Sequence, residues 1–315
     1  MSDVRVYFAG IPATNKNLQK TEVLHRFHNG VFTETSEEVF KPEWKESRLA
    51  VIQGWAHEHN HSTHLKFRKT VIEKQFETGN QILVIDSNIF QFADPEVKFN
   101  YLRYSLNGIF PTTGNYFTAE VEPSRWRDIK RTLNFDLYPW RTEGTHILVC
   151  LQRNGGWSMK GKNVMDWLNS TIQQIRAVSK LPIIVRPHPG DRAAKNYLVI
   201  DKKVHKKVYI SKNANIVDDL RDAWATVTYN SSPGAVSALL GVPVFITDPI
   251  PENSQAFAVG NKDLSMIADP YMPDRQEWVE RLAMSHYSFK DLTDGEAWRI
   301  IRKYIYEKIC SCNNV

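Results

Sequence analysis

The chain has 315 residues, 40 Lys and Arg against 35 Asp and Glu, a formal charge of +5, and a mean hydropathy of −0.42. Its 42% hydrophobic and 24% charged residues exclude a disordered chain, and its length suits two domains at roughly 100–200 residues each. No window reaches the roughly 18 unbroken apolar residues of a membrane span, and Met-Ser-Asp-Val-Arg at the start is not a signal peptide. Cys150, Cys310 and Cys312 make neither a disulfide framework nor a zinc set, so the expected compartment is the cytoplasm. The mild positive charge permits a polyanionic partner without requiring one.

Short apolar runs alternate with helical patterns, the signature of α/β architecture with parallel sheets. Val4 to Gly10 reads as a strand, about Asn17 to Asn29 as a helix stopped at Gly30, and Ser47 to Gly54 as a second strand. A helix from about Thr63 to Thr78 ends at Gly79, and a third strand, Gln81 to Ile85, ends at Asp86. Ser124 then caps a basic helix to about Leu133. Leu137 to Thr145, broken by Pro139 and Gly144, reads as a linker between domains at 1–140 and 141–315. Beyond it come strand His146 to Leu151 and an amphipathic helix, Asn163 to Ser179, with Val164, Trp167, Leu168, Thr171, Ile172 and Ile175 on one stripe. Strands Ile183 to Arg186, Val208 to Ile210, Ala225 to Tyr229 and Val242 to Ile246 follow, and a long helix spans about Thr293 to Ile309. Two Rossmann-like halves account for this order.

In such sheets ligands bind at the carboxyl ends of the strands. Four loops of the second half stand there. The first, Gln152 to Trp157, offers Arg153 and Asn154 with Gly155 and Gly156, where the backbone can approach a ligand closely; it is neither a GxGxxG nor a P-loop. The second sets His188 between Pro187 and Pro189, after Arg186, which stiffens the imidazole's loop and points to an anionic ligand. The third, Asn230-Ser231-Ser232-Pro233-Gly234, opens a helix; Ser232 reads as its N-cap and Pro233 as its first residue, and the doubled serine exceeds what capping needs. The fourth, Asp248 to Asn253, could hold sugar or ribose hydroxyls through its carboxylates, with Glu252 among the donor candidates.

The order strand, Arg-Pro-His-Pro, a helix with Asp-Asp-Leu, strand, Asn-Ser-Ser-Pro-Gly, Ala-Leu-Leu-Gly-Val-Pro-Val-Phe resembles the nucleotide-sugar half of GT-B glycosyltransferases. It is most similar to capsular-polysaccharide-type enzymes and to sialyltransferases with paired His-Pro and Ser-Ser motifs. The resemblance covers roughly Gly144 to Ile309, and Asp294-Gly295-Glu296-Ala297-Trp298 resembles the family's terminal helix. It implies two Rossmann-like domains facing a cleft, with the C-terminal helix packing back on the N-terminal domain. It also implies donor phosphates on His188, Ser231 and Ser232. A clear acidic pair plus glycine, found in sialyltransferases, is missing from the first half, which favours a UDP-sugar donor over CMP-sialic acid. The site has no Asp-x-Asp motif, so a divalent metal is possible but not implied and no cofactor is required.

The first half should then hold the acceptor and a general base. Asp86 stands at a strand end, and His57, His59, His61 and His64 crowd the loop after Gly54; Asp86, His57 and His59 are the catalytic candidates. A metal reading of the histidines lacks a completing cysteine or carboxylate. Arg125, Trp126, Arg127, Lys130 and Arg131 make a basic, aromatic-bearing helix of the kind that grips nucleic acid. With the compact basic architecture, similar to phage enzymes that glycosylate hydroxymethylated cytosine, this sets the leading expectation: sugar transfer to 5-hydroxymethylcytosine in double-stranded DNA, in the host cytoplasm if the chain is phage-encoded. The alternatives are a capsular or lipid-linked polysaccharide glycosyltransferase and a nucleotide-sugar epimerase.

Overall fold

The computed structural model of the chain describes residues 2–9, 18–56, 63–201 and 203–307. It divides into two compact units: Met1–Asp128 with Glu280–Val315, and Ile129–Val279.

The first unit is built on β1 (Val4–Tyr7), α1 (Leu18–Gly30), β2 (Ser36–Val39), β3 (Leu49–Gln53), α2 (Thr63–Glu77), β4 (Gln81–Asp86) and β5 (Leu102–Leu106). At the end of this stretch α3 (Pro123–Leu133) begins. The second unit holds β6 (His146–Cys150), α4 (Val164–Val178), β7 (Ile183–Arg186), α5 (Ala194–Tyr197), β8 (Val208–Ile210), α6 (Ile216–Leu220), β9 (Ala223–Thr228), α7 (Pro233–Leu239) and β10 (Val244–Ile246), with α8 (Gln276–Ala283) starting before its end. The chain then returns to the first unit with β11 (His286–Tyr287), α9 (Phe289–Thr293) and α10 (Glu296–Arg302).

The second unit's sheet, ordered β10-β9-β6-β7-β8, is parallel throughout. Its inner strands are largely apolar, as burial on both faces requires; β6 is buried at every position, whereas the edge strand β8 is exposed at Tyr209 and Ile210. The α4 stripe is as expected: Val164, Leu168, Thr171, Ile172 and Ile175 are buried, and Asn163 caps the helix by accepting from the backbone N–H groups of Met165 and Asp166.

The first unit's sheet runs β11-β5-β4-β3-β1-β2. β1 to β4 are parallel neighbours, whereas β5 and β11 are antiparallel additions. Three of these strands, β2, β5 and β11, are absent from the sequence reading. The C-terminal elements pack back on the first unit as the GT-B resemblance implied: Trp298 is buried, edge-to-face on Phe27 with ring centroids 6.1 Å apart. The expected single helix from Thr293 is instead broken. Gly295 separates α9 from α10 because its left-handed backbone, at φ +76°, ends the helical turn, and a side chain there would also collide with the Phe32 ring.

Leu137 to Thr145, read as a linker, lies inside the second unit. The Tyr138 N–H donates to Leu239 O at 3.2 Å, the Arg141 N–H to Gly241 O at 2.7 Å, and Trp140 Nε1 to Pro273 O at 2.7 Å. Pro139 and Gly144 thus shape a strap tied to the unit's own backbone, and Gly241, at φ +75°, has no room for a side chain against Pro139 O.

Candidate functional site

Four loops leave the carboxyl ends of the second unit's strands, and polar side chains lace three of them together. Gln152 Nε2 donates to Asn230 Oδ1, and Ser158 Oγ donates to Gln152 Oε1 at 2.5 Å. Asn230 Nδ2 donates to Asp248 Oδ2 at 2.6 Å and to Ser158 O at 3.3 Å, while Asn253 Nδ2 reaches Asp248 Oδ2 at 3.0 Å. Gln152, Asn230, Asp248 and Asn253 are all buried, so each bond is one that water cannot easily replace. Asn230, expected on the donor, is the hub of this network, which it shares with Gln152 of the first loop and Asp248 of the fourth.

His188 stands on the second of these loops. It follows β7, half-buried, and its Nδ1 accepts the Gly190 N–H at 3.0 Å. That bond leaves the proton of the neutral ring on Nε2, a donor available to a phosphate oxygen. Burial lowers the imidazole's pKa, Arg153's charge lowers it further, and Asp191 opposes both. Arg153 lies against Gly190, where a side chain would strike its Nη2. The loop of Asn154 is held from the same side: its backbone N–H donates to Asp191 Oδ2 at 2.9 Å, and its Oδ1 accepts from Val164 N at 3.3 Å. Burial pushes the Asp191 carboxyl up, but hydrogen bonds from Tyr197 and from the N–H groups of Asn154 and Ala193 outweigh it, with a net fall. Gly155 takes a positive φ of +67° with open space around it, and Gly156 turns back under Arg153 O.

The Ser231 Oγ is buried and has no hydrogen-bond partner among the described residues. A buried hydroxyl without a partner costs about 1–3 kcal/mol, which a bound acceptor or donor atom would recover. Ser232 does not cap α7 as expected. Its backbone is already helical at φ −53° and ψ −31°, so its hydroxyl makes no capping bond and stands half-buried beside Ser231. Gly234 serves packing: a side chain there would press on Val244 Cγ2 at 3.2 Å.

Two other expected donor residues have different surroundings. Arg186 is buried in an ion pair with Asp219 and donates to the carbonyls of Asn213 at 3.0 Å and Ala214 at 2.8 Å, so its charge is spent inside the fold. Glu252 sits in the turn Pro251–Asn253, 3.9 Å from Lys262 Nζ.

In the first unit Asp86 closes β4 and accepts from Arg103 Nη2 at 3.1 Å through Oδ2. It lines a cavity of about 400 Å3 that also takes in Gln53, Arg68, Ser87 and Asn88. His57, His59 and His61 lie outside the described residues.

The basic helix α3 departs from the nucleic-acid reading. Trp126 is buried against Phe90, with centroids 6.4 Å apart. Arg125 is buried too, 3.0 Å from Asp291 Oδ1, bonded to His286 O at 2.6 Å and over the Tyr287 ring at 4.8 Å. Neither can reach DNA. Arg127 and Arg131 are exposed, and Lys130 pairs with Asp136 at 2.7 Å. Sequence cannot show this, because Arg125 meets its carboxylate 166 residues away.

Among the described residues no three His, Cys, Asp or Glu side chains gather as for a metal ion, and no helix is long and apolar enough to cross a membrane.

No known sequence family matches the chain, and no curated protein matches it. Solved structures do. KpsC, beta Kdo 2,4 transferase, of Thermosulfurimonas dismutans aligns with a TM-score of 0.57 at 14% identity, over 93% of this chain and 97% of that one. KpsC, beta Kdo 2,7 transferase, of the same organism aligns with a TM-score of 0.54 at 14% identity, over 94% and 98%. The likeness runs through both units, and the fold is that of GT-B glycosyltransferases.

Proposed function

We propose that the chain is a glycosyltransferase that moves a sugar from a nucleotide-sugar to the hydroxyl of a saccharide acceptor. The observation that carries the reading is the set of unspent donors on the loops after three adjacent strands, β9, β6 and β7: the Ser231 hydroxyl, Arg153, and His188 Nε2–H. Guanidinium and N–H donors at a strand end suit phosphate, and hydrogen bonds to a charged oxygen are roughly twice as strong as neutral ones. In the reaction the acceptor oxygen forms a bond to the anomeric carbon as the bond from that carbon to the phosphate oxygen breaks. Asp86 takes the acceptor's proton, and Arg153 and His188 offset the charge that grows on the leaving phosphate.

The saccharide acceptor is favoured over hydroxymethylated DNA because Arg125 and Trp126 are occupied inside the fold. Two similar solved structures, both named as Kdo transferases, point the same way. The test is incubation with UDP- and CMP-linked sugars, a saccharide panel, and plain and hydroxymethylated DNA, with products weighed by mass spectrometry. A saccharide product supports the reading. A modified nucleoside shifts the acceptor to DNA, and donor isomerised without any acceptor replaces transfer by epimerisation.

A further inference from the structure

The cavity of about 400 Å3 in the first unit lies at the carboxyl ends of β3 and β4, within the size range of small-molecule sites, about 300–1,000 Å3. Its charges do not balance. Asp86 is matched by Arg103, and two further cations line the cavity: Lys20, exposed on α1, and Arg68, half-buried on α2, which has no hydrogen-bond or ion-pair partner among the described residues. Burial lowers the Arg68 pKa, and the charge of Asp86 only partly offsets that. The chain makes space for this guanidinium: Gly54, at φ +76°, has Arg68 Nη1 3.2 Å from where a side chain would begin. In the same lining two polar atoms are buried without partners among the described residues, Ser87 Oγ and Asn88 Nδ2. A half-buried cation beside two such donors favours an anion, which satisfies all three at once.

We infer that this cavity selects an acceptor sugar bearing an anionic group, a carboxylate or a phosphate, seated on Arg68 with Ser87 and Asn88 beside the Asp86 carboxylate. The inference rests on the glycosyltransferase reading and names the class of acceptor. A guanidinium offers a planar fork that either anion fills with two parallel hydrogen bonds, whereas a neutral sugar leaves the charge unmatched.

Three probes that differ at one carbon test it: glucose, glucuronic acid and glucose 6-phosphate, titrated against the whole chain by ligand-observed NMR. At least one anion is expected to bind ten times or more tighter than glucose, and which one does so tells carboxylate from phosphate. Arg68→Ala should abolish that preference and Arg68→Lys should keep part of it, both with UDP and CMP affinity as in the parent chain. Asn88→Ala carries the same comparison should Arg68→Ala fail to fold. Glucose binding as tightly as both anions, no binding by any of the three, or an anion preference that survives Arg68→Ala overturns the inference. Anion binding without binding of UDP or CMP overturns the transferase reading and leaves the cavity's preference standing.

Discussion

Asn230 gives its Nδ2 proton to Asp248 Oδ2 at 2.6 Å while its Oδ1 accepts from Gln152, so a single amide joins the ends of β10, β9 and β6. The loops that carry Arg153 and Ser231 are therefore set by one buried network rather than each by its own turn. Asp248→Ala removes the acceptor that the amides of Asn230 and Asn253 share, at about 1.5–3 kcal/mol for each lost bond to a charged group. Urea denaturation should show a loss of that order, and nucleotide affinity should fall with it. Stability and affinity both equal to the parent's would remove the network from the site.

His188→Ala and the pair Ser231→Ala with Ser232→Ala should each weaken UDP or CMP binding at least about tenfold, from loss of charge-assisted bonds worth about 1.5–3 kcal/mol. Ser231→Ala should if anything stabilise the empty protein, because its hydroxyl is buried without a partner. Calorimetry and thermal melting together check both statements.

Asp86→Asn retains the shape of the carboxylate and its contact with Arg103 but cannot take a proton. Turnover should drop by about 10²–10⁴-fold while donor affinity stays within a factor of about two, as for a general base. Steady-state transfer rates beside calorimetric nucleotide titrations decide it, and activity close to the parent's would place the base elsewhere.

Arg125→Ala should cost about 1.5–3 kcal/mol, since it removes a buried guanidinium bonded to Asp291 while Asp291 keeps its bonds from Ser288. Reversing charge at Arg127 and Arg131, both exposed, should change stability by less than about 0.5 kcal/mol and leave saccharide transfer as it was. Gel-shift titrations of the double reversal at two salt concentrations check the DNA alternative directly. A reduced salt slope there would restore the exposed face of α3 as a phosphate contact.

Burial holds the His286 imidazole down to about 3, with Arg103 and Arg125 lowering it further against the pull of Leu282 O. The unfolded chain accepts this proton near the ordinary value of 6.5 and the folded chain does not. The stability it protects is complete above about pH 6.5 and is lost as the pH falls towards 3, at about 1.4 kcal/mol per pH unit. His286→Gln should flatten that acid limb in denaturation curves recorded between pH 7 and pH 4. An unchanged limb would assign the acid loss to other groups.

How far the sequence speaks depends on burial. The parallel strands β3, β4, β6, β7 and β9 are legible because both faces are covered and the runs are almost wholly apolar. β2, Ser-Glu-Glu-Val, hides because it is an edge strand whose Glu37 answers Arg5 at 2.9 Å, and that pairing is visible only in space. β5 hides in the same way, since its Arg103 is a strand residue only by virtue of Asp86 across the ladder. His188 and Ser231 stand on strand-end loops that a sequence pattern can mark as candidates, whereas Arg68 sits inside a helix where nothing local marks it. Its distinction is the lack of a partner among the described residues, which no motif encodes. Arg186 illustrates the converse, a motif residue whose partner Asp219 lies 33 positions on.

The return of the chain to its first unit sets an order of assembly. Residues 129–279 are continuous and can close their core as soon as they are made. The first unit cannot: its core includes Trp298, Ile300 and Ile301, and β5 finds its outer neighbour only in β11. During synthesis that sheet therefore waits, with one antiparallel edge and the α1 face uncovered, until the last part of the chain leaves the ribosome. A stop before residue 280 spares the loops of the second unit and costs the first unit's cavity its supporting core, so under the proposed reading a truncated chain keeps nucleotide binding and loses transfer.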